Sequence, residues 1–265
     1  MNLDLDDPDT LAADLGAAED WLVVLDFDGV LSPIVEHPED AATAPGVVPA
    51  IEQLAGRTQV AVVSGRPIAE LEARLGLLPV TYAGGHGAEV RTADGRQTAF
   101  VSPDAVAGTL DDVEAALEEL LSTDAGWQVE RKAASLAVHH RRVDDRDRDA
   151  LLPRVHELLE ARRDDDPGFE VLAGKAVVEL RPAGVDKGRA LAWIAERADG
   201  RRPVVLGDDV TDEDAFRAAV ERDGLGVLVA DAPRATVARR RLRDPDAVVD
   251  FLRAFGTGRG SGAPD

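Results

Sequence analysis

Short runs that are apolar at consecutive positions, rather than at every second one, recur through this chain, and each stops at a polar turn. They are WLVVLDF (21–27), QVAVVSG (59–65), VTYAGG (80–85), and the segments 203–207 and 225–229. A strand that is apolar throughout is buried on both faces, the signature of a sheet covered on both sides. Between these runs lie segments with helical spacing: 45–56, with a proline near its start, 67–76, ending in glycine, and 186–198, 212–221 and 245–255. Strand–helix–strand repetition with short turns predicts an α/β fold built on a parallel sheet. Residues 88–101 read as a hairpin around Asp94-Gly95.

The texture changes near Pro103. A long amphipathic helix (104–123), strands 126–132 and 135–141, a charged helix (146–163) and strands 169–173 and 175–180 follow. This helix–strand–strand unit occurs twice and predicts an antiparallel α+β module inserted into the first domain. The α/β rhythm returns by Lys187. The expected organisation is a discontinuous domain over 1–102 and 183–265, with the insert at 103–182. A length of 265 residues suits two domains. The Gly-rich tail from 256 is expected to fray, and Lys175 to sit in a hairpin turn.

Charge narrows the function classes. With 33 Asp and 18 Glu against 27 Arg and 3 Lys, the net charge is −21. Such a chain repels nucleic acid and anionic membrane surfaces. Asp-rich, Lys-poor composition points to a halophilic protein working in salt that screens its self-repulsion. The absence of cysteine excludes disulfides, thiol nucleophiles and zinc–thiolate sites. No apolar run reaches the length of a membrane span, and the N-terminus is acidic where a signal peptide is basic, so a cytoplasmic protein is expected. In so Arg-rich a chain, Lys132, Lys175 and Lys187 are candidates for places that need a compact ammonium.

The chemistry-bearing residues sit where strands end. Asp26-Phe27-Asp28-Gly29 closes the first run, and residues i and i+2 of extended chain project to one side. Two carboxylates at a strand's carboxyl end occupy the ligand-binding edge of a parallel sheet; a turn with an Asx cap would use the same residues. Gly207-Asp208-Asp209-Val210-Thr211-Asp212 repeats the geometry before a helix, with Glu213 and Asp214 adding to the crowd. Helix capping accounts for one or two such acids. If Asp26, Asp28 and Asp208 converge, their repulsion raises their pKa values unless a cation intervenes, and a hard divalent ion such as Mg²⁺ suits a few carboxylates plus a phosphate. Ser64-Gly65-Arg66 offers a hydroxyl and backbone N–H groups ahead of a helix, either an anion cradle or an ordinary turn. Lys187 opens a helix, a position that disfavours cations and so asks for an anionic partner. The inventory suits phosphoryl transfer.

DFDGV, VVSGR, DKG and GDDVTDED, in that order, resemble the four motifs of haloacid-dehalogenase-superfamily phosphatases. LDFDGVLSPIVEHP (25–38), YAGGHGAEV (82–90), SLAVHHR (135–141), VVELRPAGVDKG (177–188) and LGDDVTDEDAF (206–216) resemble trehalose-6-phosphate phosphatases, over about residues 20–255. The resemblance implies a Rossmann-like core, an α/β cap closing over a sugar, and Mg²⁺-dependent hydrolysis of trehalose 6-phosphate. It makes Asp26 the nucleophile, Asp28 the acid and base, and Ser64 and Lys187 the holders of the phosphoryl oxygens. The metal falls to Asp26, the Asp28 carbonyl and Asp208, with Asp209 and Asp212 supporting its waters. Sugar contacts fall on Glu130, Lys132 and Glu179, with Arg66 and His86 as further contacts from the core.

Glu130 and Lys132 are co-facial on one strand, which also suits a cross-strand ion pair; His86, between glycines, also suits a turn. His139 and His140 are adjacent on a strand, so at most one faces the cleft. His37, His156 and the Arg239–Arg241 run read as solvated surface. The chain departs from the family pattern at Val30, Gly85 and Ala133-Ala134, which bears on substrate fine-tuning. A small sugar phosphate is the expected partner of a monomer. The alternatives are a phosphatase for sucrose 6-phosphate or mannosyl-3-phosphoglycerate, and a non-catalytic regulatory subunit.

Overall fold

A computed structural model describes residues 3–121, 125–132, 134–166, 168–174 and 176–258. Lys175, Ala133 and the tail from 259 lie outside the described residues. The chain divides into two compact units, 1–98 with 186–265, and 99–185.

The first unit is built on an eight-stranded sheet in the order β12 (Arg240–Leu242), β11 (Leu225–Val229), β10 (Arg202–Gly207), β1 (Trp21–Leu25), β2 (Gln59–Val63), β3 (Thr81–Gly84), β4 (Glu89–Arg91), β5 (Gln97–Ala99). Strands β12 to β3 run parallel, and β4 is antiparallel to β3. Successive strands step from β1 to β2 and β3 on one side, while the chain returns after the insert to β10 and β11 on the other. The strand order therefore reverses at β1, and the crevice at its carboxyl end is where such sheets bind ligands.

Two-sided burial explains the unbroken apolar runs. Val23, Leu25, Val60, Val62, Val204 and Leu206 share one core cluster with Ile51 and Leu54 of α2 (Val47–Ala55) and Phe251 and Phe255 of α8 (Pro245–Thr257). The alternate positions Leu22, Val24, Ala61, Val63 and Val205 are buried too, on the face opposite that cluster. There α6 (Lys187–Ala195) packs against β2, and α7 (Asp212–Val220) against β10 and β11. Helix α3 (Ile68–Leu75) follows β2.

Two elements of this unit were absent from the sequence reading. Helix α1 (Pro8–Leu15) is capped by Asp7, whose carboxylate accepts from Thr10 N. Strand β12 takes in Arg240 and Arg241, so the expectation of a solvated run is corrected for those two, while Arg239 is exposed as expected. Arg241 is 6% exposed and donates to the Asp231 carbonyl at 2.7 Å. Arg240 pairs with Asp6 at 2.7 Å and Asp14 at 3.0 Å. Acids from the N-terminal segment compensate the run, so it pairs at a sheet edge.

The second unit carries an antiparallel sheet in the order β6 (Gln128–Arg131), β7 (Leu136–His139), β9 (Val177–Pro182), β8 (Phe169–Gly174). Helix α4 (Pro103–Leu120) packs on α5 (Asp145–Asp165) and β6, and α5 on β8. Val138, Val178, Leu136 and Leu180 are buried. Residues directly opposite in register share a face, so Glu130, Ala137 and Glu179 align across β6, β7 and β9.

Candidate active site

Parallel register brings three turns to one edge of the first sheet. Leu25 lies opposite Leu206 on one side and Val62 on the other, so Asp26, Asp208 and Ser64 follow adjacent strand ends. Asp26 N donates to the Leu206 carbonyl at 3.0 Å, extending the ladder by one bond and pinning the carboxylate at the rim. Two glycines let the turns close. Gly29 has φ +75°, and a Cβ there would lie 2.3 Å from the Asp208 carboxylate. At Gly207 a Cβ would lie 2.4 Å from Asp212 Cγ. Asp212 folds back over that glycine, and its Oδ2 accepts from Asp208 N at 2.9 Å and Asp209 N at 3.0 Å. Carboxyl oxygens of Asp26, Asp208 and Asp212 thus lie within 4.8 Å of one another.

One cation stands inside this group. Lys187 Nζ is 2.7 Å from both Asp26 and Asp212 and is 3% exposed. Its place in the first turn of α6 is unfavourable to a cation, and the two carboxylates are what hold it there. Burial works against the Lys187 charge, but Asp212 and Asp26 outweigh it and keep the ammonium protonated far above the ordinary lysine range. Three carboxylates against one ammonium still leave excess negative charge in a buried place. Burial and then Asp212 push Asp26 well above the usual carboxylate range, against the pull of Lys187. Burial, again followed by Asp212, pushes Asp208 up to about 7. A proton or a second cation relieves that excess, and an all-oxygen, anionic donor set suits a hard divalent ion. The carboxylates of Asp28 and Asp209 lie outside this group; the expectation gave Asp28 to the metal through its backbone carbonyl and Asp209 through a water.

Asp28 is engaged elsewhere. Arg66 Nε donates to its Oδ2 at 2.7 Å and Nη2 to its Oδ1 at 2.8 Å, a bidentate pair. The guanidinium also pairs with Glu70, one helical turn on, and lies 5.4 Å over the Phe27 ring. Arg66, expected to contact substrate, therefore closes on the expected acid, and each Asp28 oxygen accepts from its guanidinium in this conformation. Ser64 is 1% exposed, and its Oγ accepts from Arg66 N at 3.2 Å. His86 takes a left-handed φ of 55° and donates its N–H to the Ser64 carbonyl at 2.9 Å, with its ring against Gly65. His86 thus braces the Ser64 turn.

The remaining expected residues form a polar group of their own in the second unit. Lys132 Nζ is 3.2 Å from Glu179 Oε1, and Ser135 Oγ donates to the same oxygen at 2.6 Å. Glu179 is only 5% exposed. Glu130 Oε2 pairs with His139 Nε2 at 2.7 Å, and that bond, helped by Lys132, holds the Glu130 pKa below its ordinary value. His140 turns the other way, its ring 6.2 Å from that of Trp127, and burial lowers its pKa.

Three participants were not singled out from the sequence, whereas His139 was one of two histidines considered for the cleft. Glu70 lies four residues after Arg66, in the helix that follows it. Ser135 had only strand alternation to mark it. Arg234 had no local signal, yet it donates to the Asp209 carbonyl at 2.8 Å and to Glu213 at 2.5 Å.

Comparison with known proteins gives a consistent picture. The model of the trehalose-phosphatase family matches residues 24–246. The trehalose-phosphate phosphatase of Mycobacterium tuberculosis is 38% identical over 260 residues, covering 92% of this chain and 64% of that protein. An uncharacterised glycosyl hydrolase of the same organism is 40% identical over 241 residues, which are 87% of this chain but 18% of that protein. The chain thus spans less than two thirds of these curated relatives. Among solved structures, the trehalose-6-phosphate phosphatase of Aspergillus fumigatus superposes with a TM-score of 0.67 at 26% identity, covering 97% of this chain and 99% of that one.

Proposed function

The chain belongs to the trehalose-phosphatase family, and from that premise we propose that it hydrolyses trehalose 6-phosphate to trehalose and phosphate. The observation that carries the reading is the meeting of Asp26, Asp208 and Asp212 around Lys187 at the switch point of the sheet. A Mg²⁺ ion fits the acidic group, held by Asp26 and Asp208 with Asp212 and Asp209 at its periphery; when bound it would neutralise charge on the phosphoryl oxygens.

The chain's own groups account for the rest. Asp26 Oδ attacks phosphorus as the bond from phosphorus to the sugar oxygen breaks, leaving an aspartyl-phosphate. Asp28 gives its proton to the departing oxygen, then takes one from the water that attacks phosphorus and regenerates the Asp26 carboxylate. Lys187, held protonated, stabilises the negative charge of the transferring group, and the Ser64 turn supplies hydrogen bonds to it. Arg66 must leave Asp28 for these steps, and an arriving phosphate dianion competes for the same guanidinium fork. Sugar recognition is assigned to Glu130, Lys132 and Glu179, because carboxylates accept from sugar hydroxyls. The two catalytic steps use side chains of a single copy, so a monomer suffices. The reading puts the reaction in the cytoplasm, where a charged sugar phosphate is retained; among the described residues no helix is long and apolar enough to span a membrane.

The test is phosphate release from trehalose 6-phosphate, sucrose 6-phosphate, mannosyl-3-phosphoglycerate and an aryl phosphate. The highest kcat/KM is expected on trehalose 6-phosphate. A higher value on another sugar phosphate would remove the substrate and keep the chemistry; no release from any would remove both.

A further inference from the structure

The acidic loop 207–212 carries much of the site, and Asp212 fixes part of its shape: its carboxylate accepts from Asp208 N and Asp209 N, and its own N–H donates to the Asp209 carbonyl at 3.1 Å. The Asp208 and Asp209 carbonyls also meet a residue from a different connection. Arg234 follows β11 and reaches back to the loop. Its Nη2 donates to the Asp209 carbonyl at 2.8 Å and approaches the Asp208 carbonyl at 3.4 Å. Its Nη1 pairs with Glu213 Oε1 at 2.5 Å and with the Ala235 carbonyl at 3.1 Å. Glu213 is 7% exposed, and its other oxygen accepts from Val237 N at 2.8 Å. The loop is therefore gripped from two sides: Asp212 takes its amides, and the Arg234 fork takes its carbonyls.

We propose that Arg234, anchored by Glu213, is a positioning residue that presets the Asp208 carboxylate for the divalent cation. The inference rests on the metal-dependent reading above. Two physical effects of Arg234 oppose each other. As a positive charge near the acidic group it disfavours a second cation. As a fork holding consecutive carbonyls it prepays the ordering of the loop, so that the cation meets Asp208 already in place. Supporting contacts of this kind are worth about 10–100-fold in metal affinity. A single charge in a half-exposed setting is worth less than that, so positioning wins and Arg234 strengthens binding despite its sign.

The two effects predict opposite outcomes. Mg²⁺ binding is measured by calorimetry on EDTA-stripped, full-length protein, with the Mg²⁺-dependent rise in Tm as a second readout. Arg234→Met is expected to weaken Mg²⁺ binding by about tenfold or more. Arg234→Lys keeps the charge and loses the fork, and is expected to resemble Arg234→Met. Glu213→Gln keeps the fold of the anchor and loses its charge, and is expected to give a smaller loss in the same direction; it decides the matter if Arg234→Met does not fold. Tighter binding by Arg234→Met, or wild-type affinity in Arg234→Lys, would show that charge alone is at work and overturn the proposal. Unchanged affinity in all three variants would overturn it as well. Wild-type protein that binds no Mg²⁺ would instead overturn the metal-dependent reading on which the proposal stands.

Discussion

Replacing Lys187 by methionine keeps an unbranched chain one atom shorter and removes the ammonium, its charge and its N–H donors together. The ammonium is 3% exposed and serves Asp26 and Asp212, themselves 6% and 1% exposed, at 2.7 Å each. Deleting one partner of a buried ion pair costs about 3–5 kcal/mol, because the other charge is left uncompensated. Here two carboxylates lose the same partner while a third, Asp208, stays within 4.8 Å. In a chain of this size 1 kcal/mol moves Tm by about 2–4 °C, so Lys187→Met should melt about 6–20 °C below wild type. The assay is scanning calorimetry of both proteins in EDTA at pH 7.5 and pH 5. The gap should narrow at pH 5, where protonation of Asp208, whose pKa is pushed up to about 7, removes part of the negative charge around the ammonium. A gap under about 2 °C at pH 7.5, less than a single kcal/mol, would mean that these groups do not meet in a buried place. An equal gap at both pH values would show that lost packing, not charge, is responsible.

Asp208 sets a pH signature in metal-free protein. Its folded pKa, pushed up to about 7 by burial and Asp212, lies above the unfolded value of about 3.9. The stability it contributes is therefore full below the unfolded value and is lost as pH rises through about 7. Asp208→Asn should flatten the fall of Tm between pH 4 and 7.5 in EDTA, and a slope identical to wild type would refute the assignment. Glu130→Ala and Lys132→Ala should lower kcat/KM on trehalose 6-phosphate at least about tenfold, with less than about twofold change on an aryl phosphate; equal losses on both would detach these residues from the sugar. Wild-type Tm should rise from low to molar KCl as ions screen a net charge of −21, and a flat or falling Tm would contradict a halophilic design.

What the chain reveals by itself follows from the range of the interactions involved. The segment 225–229 was legible as a strand to the residue, because burial on both faces leaves an unbroken apolar run that local reading detects. Asp26 and Asp208 were legible as strand-end acids for the same reason. That Asp212 folds over Gly207 to bind two amides was not, since as a helix-start acid it looks like any cap. Strand β12 was hidden because three consecutive arginines read as surface until Asp6, 235 positions away from Arg241, is seen to bind its amide. Arg66 was placed correctly after β2 as a turn residue, but its bidentate grip on Asp28 spans 38 positions and no local pattern encodes it. The split between His139, bonded to Glu130, and His140, turned toward Trp127, followed directly from strand alternation.

The proposed chemistry requires Asp26 to take up the phosphoryl group of trehalose 6-phosphate. A rapid-quench single turnover with ³²P-labelled trehalose 6-phosphate and Mg²⁺ tests this directly. Transient, hydroxylamine-labile label is expected on the peptide carrying Asp26, and none in Asp26→Asn. Label on another residue, or complete hydrolysis with no protein-bound phosphate at any quench time, would contradict it.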